Sequence, residues 1–199
     1  MEAVLILAGL FALLFAGVPV AFALTGLGWI LLEVGGFSPL MVAQGLLSST
    51  DNFVLLAVPL FLLMSNILLQ GGVGRDLFEA VQVWVGHWPG GLAVATILSC
   101  GIFAAISGSS VATAATIGTV AIPEMAKRGY PRPFVLGLLA AGGTLGILIP
   151  PSIPMIVYGF ITEESVIALF LAGVGPGLVL IALFCAYAML YARISGAYQ

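Results

Sequence analysis

The chain has 199 residues, of which 62% are hydrophobic and only 7% are charged, and its formal net charge is −3. A water-soluble domain carries about 25% charged residues, so this composition excludes a soluble globular fold and indicates a membrane protein in a lipid bilayer. Five Lys and Arg residues without a basic run cannot neutralise a phosphate backbone, so we expect no nucleic-acid partner. Cys100 and Cys185 lie in apolar runs, which predicts packing roles for both. Two cysteines and a single histidine in the whole sequence indicate no transition-metal site.

The first apolar run covers residues 3–34 and is broken at Gly17-Val18-Pro19. It is longer than the roughly 20 residues that one crossing needs. Two structures fit this length, a single span kinked at Pro19 and a helix followed by a returning half-helix, and we favour the kinked span.

A second apolar run, residues 53–70, matches one membrane thickness and ends at Gly71-Gly72. Apolar residues then recur at spacings of three and four over residues 75–88, which predicts an interfacial amphipathic helix. Trp84, His87 and Trp88 would lie at headgroup level. Residues 1–90 are therefore predicted to form scaffold transmembrane helices and one interfacial helix.

Two later runs are interrupted near their middle, which is the most informative pattern in the sequence. Residues 92–125 are broken at 107–110 and residues 134–162 at Pro150-Pro151, whereas a fifth run covers 166–192. Backbone groups without helical hydrogen bonds cannot face lipid, so such breaks are buried or line a wet cavity. Both breaks therefore point to a site.

The positions of the cations predict a re-entrant hairpin. The positive-inside rule places all five on the cytoplasmic side only if residues 91–126 enter and leave the membrane on that side. Residues 127–199 would then form a broken transmembrane helix and a following span, with Glu163 and Glu164 outside. The cations that follow apolar runs are Arg75, Lys127, Arg128, Arg132 and Arg193.

Small hydroxyl residues at the hairpin tip could bind ions. Carbonyls at the end of one arm can coordinate a sodium ion, and amides at the start of the next arm can face a carboxylate. Close helix packing by small residues is the alternative explanation for this segment taken alone. The candidate residues of the tip are Ser107, Gly108, Ser109 and Ser110.

The second break adds carbonyl and hydroxyl oxygens at a similar depth. Two consecutive prolines lack amide hydrogens and unwind the chain, although a kink with only a packing role is the alternative. Discontinuous helices near the middle of the membrane are typical of secondary-transporter sites. The candidate residues are Gly143, Thr144, Gly146, Ile149, Pro150, Pro151 and Ser152.

Other polar residues are weaker candidates. Glu33, Asp51 and Glu124 lie at the ends of runs and are interpreted as solvated carboxylates, and Asn66 is interpreted as a helix-interface residue. The sequence offers no nucleophile with a partner base, so an enzyme is not expected. A channel lacks support because no acidic ring or filter-like repeat is present.

Several ordered motifs resemble the large membrane subunit of TRAP (tripartite ATP-independent periplasmic) transporters, the DctM-like proteins. The likeness covers essentially the whole chain and includes residues 17–21, 57–61, 103–114, 122–125, 143–152 and 169–177. It implies an all-α polytopic fold, half of an inverted-repeat secondary transporter with one re-entrant helical hairpin and broken helices.

The resemblance also implies a function. It predicts a carrier of the bacterial or archaeal inner membrane that imports small organic anions, such as C4-dicarboxylates or sugar acids, by an elevator mechanism. The coupling ion would be sodium, with no other cofactor. The expected partners are a small four-helix membrane subunit and a periplasmic substrate-binding protein.

Two features depart from the family pattern. Members run to about twice this length, with an inverted second repeat, so a fragment, a split subunit and a truncated gene product are all consistent with a chain that ends at Gln199. A non-transporting membrane scaffold is the alternative function. In addition, Ser65-Asn66 stands where small Ala-Gly residues are expected, which leaves the packing of that span open.

Overall fold

The computed structural model describes residues 2–38, 40–50 and 53–195. Within these ranges the chain is built from α-helices and contains no strand, which confirms the all-α prediction. The helices are α1 (Glu2–Phe15), α2 (Val20–Val34), α3 (Leu40–Thr50), α4 (Phe53–Gln70), α5 (Val73–Val85), α6 (Gly91–Ser107), α7 (Ser110–Lys127), α8 (Arg132–Leu148), α9 (Ile153–Thr162) and α10 (Val166–Ser195).

The chain divides into two compact units, and the first contains α1 to α3. A Cβ added to Gly9 in α1 would lie 3.7 Å from Cδ1 of Leu27 in α2. Gly9 precedes Val18 by nine positions and Leu27 follows it by nine, so equivalent points of the two helices lie side by side. The two helices therefore run back alongside each other, and the prediction of a single kinked span is wrong. Gly17 has a φ of 82°, so it ends α1 in a left-handed conformation and reverses the chain where a proline alone would bend it.

The second unit, α4 to α10, is organised around α6. Thirteen of the seventeen residues of α6 are buried, because α5, α7, α8 and α10 all pack against it. Ile97, Cys100 and Phe103 are fully buried in its core. Cys185 is also buried, and both thiols are unpaired, in agreement with the predicted packing roles.

The amphipathic segment forms α5, which is bent by 68° from α4 at the Gly71-Gly72 break. Its apolar face, made by Phe78, Val81 and Val85, joins the core cluster, whereas Trp84 is 80% exposed. The apolar face therefore packs on protein, on α6 and α7, where the sequence had suggested lipid. Its depth in the membrane stays a prediction.

Among the residues that the structure describes, two stretches are long and apolar enough to cross a membrane, Arg132–Thr162 and Val166–Ser195. The bent pair α4 and α5 passes the same test when taken as one span. Tyr130, which follows α7, stacks on Phe134 of α8 at 6.0 Å, and Phe134 stacks on Tyr191 of α10 at 4.2 Å. The end of α7, the start of α8 and the end of α10 thus lie at one end of the bundle. A Cβ added to Gly90, just before α6, would lie 2.7 Å from Cβ of Ala192, so α6 also begins at this end. That this hairpin is re-entrant in a membrane stays a prediction.

Candidate functional site

The hairpin turns within two residues. Gly108 ends α6 with a φ of 61°, and its amide donates to the carbonyl of Ala104. Ser109 is the N-cap of α7, and its hydroxyl accepts a hydrogen bond of 3.4 Å from the amide of Ala112. Gly108 supplies the left-handed conformation that other residues rarely adopt, and Ser109 caps the next helix, so the local sequence dictates the turn.

Buried hydroxyl groups form a network inside this turn. The Oγ atom of Ser107 lies 3.0 Å from Oγ1 of Thr113, which donates a bond of 2.8 Å to the carbonyl of Ser109. Ser107 and Thr113 are fully buried. Thr113 was not among the predicted site residues, although its position one helical turn after Ser109 is the signal that could have found it.

The second break separates α8 from α9 by four residues. Ile149 is extended, and the Pro150-Pro151 peptide is cis. The hydroxyl of the buried Ser152 donates a bond of 2.7 Å to the carbonyl of Ile147, so it satisfies one of the carbonyls that α8 leaves unpaired at its end.

The tip of the hairpin docks directly on this break. The amide of Ile153 donates to the carbonyl of Gly108 at 3.3 Å. A Cβ added to Gly108 would lie 2.7 Å from the carbonyl oxygen of Pro151, and one added to Gly146 would lie 2.7 Å from that of Ser109. The two breaks that the sequence predicted separately therefore form one backbone-to-backbone contact, which only glycine permits at these two positions.

A third element reaches the tip from α4. The hydroxyl of Ser65 donates a bond of 2.7 Å to the carbonyl of Ser107, and Ser65 is buried. Asn66 instead bonds to the carbonyl of Leu62 in its own helix and is exposed. The pair that departed from the family pattern thus includes a direct contact with the hairpin, which sequence reasoning missed because α4 and the tip are distant in the chain.

The predicted residues of the second break face two different sides. Gly143 and Thr144 line an open groove of about 550 Å³ together with Ser110, Val111 and three alanines. Ile149 and Pro150 line a separate apolar cavity of about 430 Å³ between α6 and α10. The hydroxyl of Thr144 bonds to the carbonyl of Ala141, and Ile149 and Pro150 offer the cavity only apolar side chains.

Three oxygen atoms lie close together at the tip. The Ser107 and Thr113 hydroxyls and the Ser109 carbonyl lie within 3.5 Å of one another, and all are neutral hard oxygens. Over the described ranges, no group of three or more His, Cys, Asp and Glu residues could hold a metal ion. Of the weaker candidates, Glu124 pairs with Lys127 at 3.3 Å, and Asp51 lies outside the described residues.

Comparison with known families gives a match over almost the whole chain. The sequence profile of the tripartite ATP-independent periplasmic transporter, DctM component, matches residues 7–198. The chain belongs to this DctM family.

Three similar relatives show the range of DctM proteins. The chain is 50% identical over 147 residues to a C4-dicarboxylate TRAP transporter large permease protein of Pseudomonas aeruginosa, a match that covers 72% of this chain and 34% of that protein. It is 40% identical over 193 residues to an isethionate TRAP transporter permease protein of Oleidesulfovibrio alaskensis, a match that covers 96% of this chain and 30% of that protein. It is also 40% identical over 172 residues to an ectoine/5-hydroxyectoine TRAP transporter large permease protein of Ruegeria pomeroyi, a match that covers 81% of this chain and 40% of that protein.

The matches thus cover less than half the length of each of these relatives. All three are named as permeases and none as an enzyme. The DctM family, the apolar helices and the two long spans make the chain a multi-pass membrane protein.

Proposed function

We propose that this chain supplies one half of the binding site of a TRAP transporter that imports small organic anions with sodium. The observation that carries the proposal is the docking of the hairpin tip on the broken helix, which gathers buried neutral oxygens beside an open groove. Half-helix ends and unwound backbone are the elements that secondary transporters use for ions and substrates.

The tip residues would hold the sodium ion. Its ligands would be the hydroxyl oxygens of Ser107 and Thr113 and the carbonyl oxygen of Ser109, because these atoms are already close together and both hydroxyl residues are buried. When bound, the ion supplies a positive charge that favours an anion nearby. No carboxylate belongs to this donor set, so the site carries no charge of its own and favours a monovalent ion over a divalent one.

The organic anion would occupy the groove between α7 and α8. The first-turn amides of α7, at Ser110 and Val111, lie beside this groove, and the helix dipole there favours a negative charge. The hydroxyls of Ser110 and Thr144 add polar contacts at its edge. The matched relatives are named for C4-dicarboxylates, isethionate and ectoines, which all carry a carboxylate or sulfonate group, so the groove is proposed to bind that anionic group of a small organic solute.

The family name supports the proposed partners and location. A tripartite periplasmic transporter implies a periplasmic substrate-binding protein and a small membrane subunit beside the large one. We place the chain in the inner membrane of a bacterium or archaeon, with the cationic end of α7, α8 and α10 in the cytoplasm. The elevator mechanism belongs to the same proposal, and a second half would complete the site.

Sodium-sensitive cysteine labelling tests the proposal on this chain. Ser110→Cys places a thiol at the groove, and the native cysteines are buried, so the parent chain serves as the blank. In membrane vesicles, sodium at constant ionic strength should slow maleimide labelling of S110C several-fold relative to potassium. Ser165→Cys, exposed in the connection between α9 and α10, should label equally in both salts. Equal labelling of S110C in both salts would exclude a sodium site at the tip, as a scaffold function predicts.

Transport itself requires the complete system. In proteoliposomes that contain the large and small subunits and receive the binding protein, uptake should depend on an inward sodium gradient. Ser109→Leu should abolish this uptake while the protein still inserts into the membrane. Unchanged uptake by this variant would remove the hairpin from the transport site.

A further inference from the structure

A polar crevice between α5 and α7 lies outside the proposed transport site. It has a volume of about 380 Å³, which is room for several water molecules. The Gly71-Gly72 break, Arg75 and Asp76 form one wall, and Thr116 and Thr119 of α7 form the other. The crevice shares no lining residue with the groove proposed for the organic anion, which lies on another face of α7.

The break and the two charges indicate that the crevice holds water. The chain bends by 68° at Gly71-Gly72, within a helix pair that together is long and apolar enough to cross a membrane. Irregular backbone inside a membrane is buried in protein or lines a wet cavity, and charged side chains there face such a cavity or a partner. Arg75 and Asp76 are exposed, and neither forms an ion pair within the described part of the chain.

Thr116 is the most buried polar residue of the crevice. It is 5% exposed, and its Oγ1 atom has no hydrogen-bond partner among the described residues. Its methyl group packs on Gly74, where an added Cβ would collide with it. Buried hydroxyl groups are normally satisfied by protein, by ordered water or by an ion. The unpaired hydroxyl is therefore a second indication, independent of the break, that the crevice takes a polar ligand.

Thr116 also connects the crevice with the hairpin tip. Residues three positions apart on a helix are neighbours, with their Cβ atoms about 5–6 Å apart, so Thr116 follows Thr113 on one face of α7. Thr113 is fully buried, and its hydroxyl lies 3.0 Å from that of Ser107. Hydroxyl oxygens thus continue from the crevice to the proposed ligands of sodium at the tip.

The electrostatics of the crevice suit passage of an ion. Arg75 and Asp76 carry opposite charges, so the lining is neutral overall. At the break, the negative end of the α4 dipole and the positive end of the α5 dipole also meet. An ion path requires binding that is favourable enough for entry and weak enough for exit. The crevice has hydroxyls to solvate an ion and no excess charge to retain one.

We propose that sodium passes between the hairpin tip and the cytoplasm through this crevice, with the hydroxyl of Thr116 as an intermediate ligand. The inference rests on the proposed sodium site at the tip. From the crevice, α5 leads through residues 86–90 to α6, which begins at the cationic end of the bundle. No residue of α8 or α9 lines the crevice, so this path does not require the tip to leave the break.

Cysteine accessibility tests whether the crevice is wet, independently of sodium. Thr119→Cys places a thiol in its wall, whereas Leu183→Cys places one on the apolar span α10, where the native side chain is 57% exposed. A charged, membrane-impermeant methanethiosulfonate added to inside-out vesicles should modify T119C at least about tenfold faster than L183C, because the thiolate that reacts forms in water. Equal, slow modification of both would overturn the path, whether or not sodium protects S110C.

Passage is tested by narrowing the crevice, because a path changes the rate of binding and release but leaves the affinity of the site unchanged. Thr119→Trp should lower sodium-driven uptake by the complete transporter several-fold, whereas the sodium concentration that half-protects S110C should stay as in the parent chain. Thr116→Val, which keeps the shape of the side chain, should slow uptake in the same way. Val83→Trp adds the same bulk on an exposed position of α5 outside the crevice and should not slow it.

Two further results separate the failure of this path from the failure of the tip site. Unchanged uptake by both T119W and T116V, or an equal loss in V83W, would overturn the path and leave the sodium site standing. Rapid modification of T119C without any sodium protection of S110C would instead refute the site, and the crevice would then be a wet recess without a role in sodium coupling.

Discussion

The hydroxyl of Ser65 donates a 2.7 Å hydrogen bond to the carbonyl of Ser107, across 42 positions of sequence. Both residues are buried, and the carbonyl belongs to the last turn of α6, where the helix itself cannot satisfy it. This bond is the point at which α4 holds the hairpin tip.

Ser65→Ala should lower stability by about 1 to 3 kcal/mol, because it leaves a buried carbonyl without its partner. Thermal unfolding of the purified chain in detergent measures the loss. Asn66→Ala, next to it, removes an exposed bond within α4 and should change stability much less. Equal losses from the two variants would mean that the bond to the tip contributes nothing of its own.

Alanine substitutions at two glycines with positive φ, Gly108 and Gly129, allow the cost of backbone strain to be measured apart from the cost of a steric clash. Gly108→Ala should be destabilising by about 2 to 4 kcal/mol, through left-handed strain of about 1 kcal/mol and a clash with the Pro151 carbonyl. Gly129→Ala carries the strain alone, because its φ is 78° and nothing lies within 4 Å of the added Cβ. The difference between their unfolding free energies measures the docking contact, and no difference would show that the tip can move away from the break freely.

Packing between α6 and α8 depends on a pair that a double-mutant cycle can test. A Cβ added to Gly142 would lie 2.8 Å from the sulfur of Cys100 and 2.9 Å from its Cβ. Gly142→Ala should therefore cost about 1 to 3 kcal/mol. Cys100→Gly opens the space, and the double variant should recover part of the loss as a favourable coupling of at least about 0.5 kcal/mol. Additive effects in urea or thermal unfolding would contradict the close contact.

Thr113→Val tests the hydroxyl network together with the proposed sodium site. The substitution keeps the shape of the side chain but removes the donor to the Ser109 carbonyl and the partner of Ser107. The sodium concentration that half-protects S110C should rise about tenfold, the value of one lost hydrogen bond. Thr119→Val, which removes a bond to the Thr116 carbonyl farther along α7, should leave it unchanged.

The sequence predicted the breaks well because local chemistry determines them. Gly108 provides a left-handed turn, Ser109 caps a helix, and Pro150-Pro151 cannot continue one, so each break follows from its own residues. The cations predict in addition that the hairpin is re-entrant, and this membrane topology stays a prediction. The first run shows the limit of this reasoning, since Gly17 and Pro19 allow both a kink and a reversal, and packing between α1 and α2 decides.

The arrangement of the site was less accessible to sequence reasoning because it depends on how the helices are rotated. Residues 143–152 formed one predicted group, yet Thr144 lines the groove, Ile149 lines the apolar cavity and Ser152 bonds to the end of α8. Ser65 carried no local signal either, because a single serine in an apolar helix is equally compatible with lipid, packing and a distant hydrogen bond. Such contacts follow from the tertiary structure alone.

The contact between Gly108, Gly146 and the backbone of the opposite segment has a mechanical consequence. At both positions even a methyl group would collide with a carbonyl, so the tip and the break have no clearance to slide past each other. The hairpin tip and the break therefore move as one rigid unit. Any opening of the groove to one side of the membrane must carry α6, α7 and the broken helix together, or else separate the tip from the break and expose the carbonyl of Gly108.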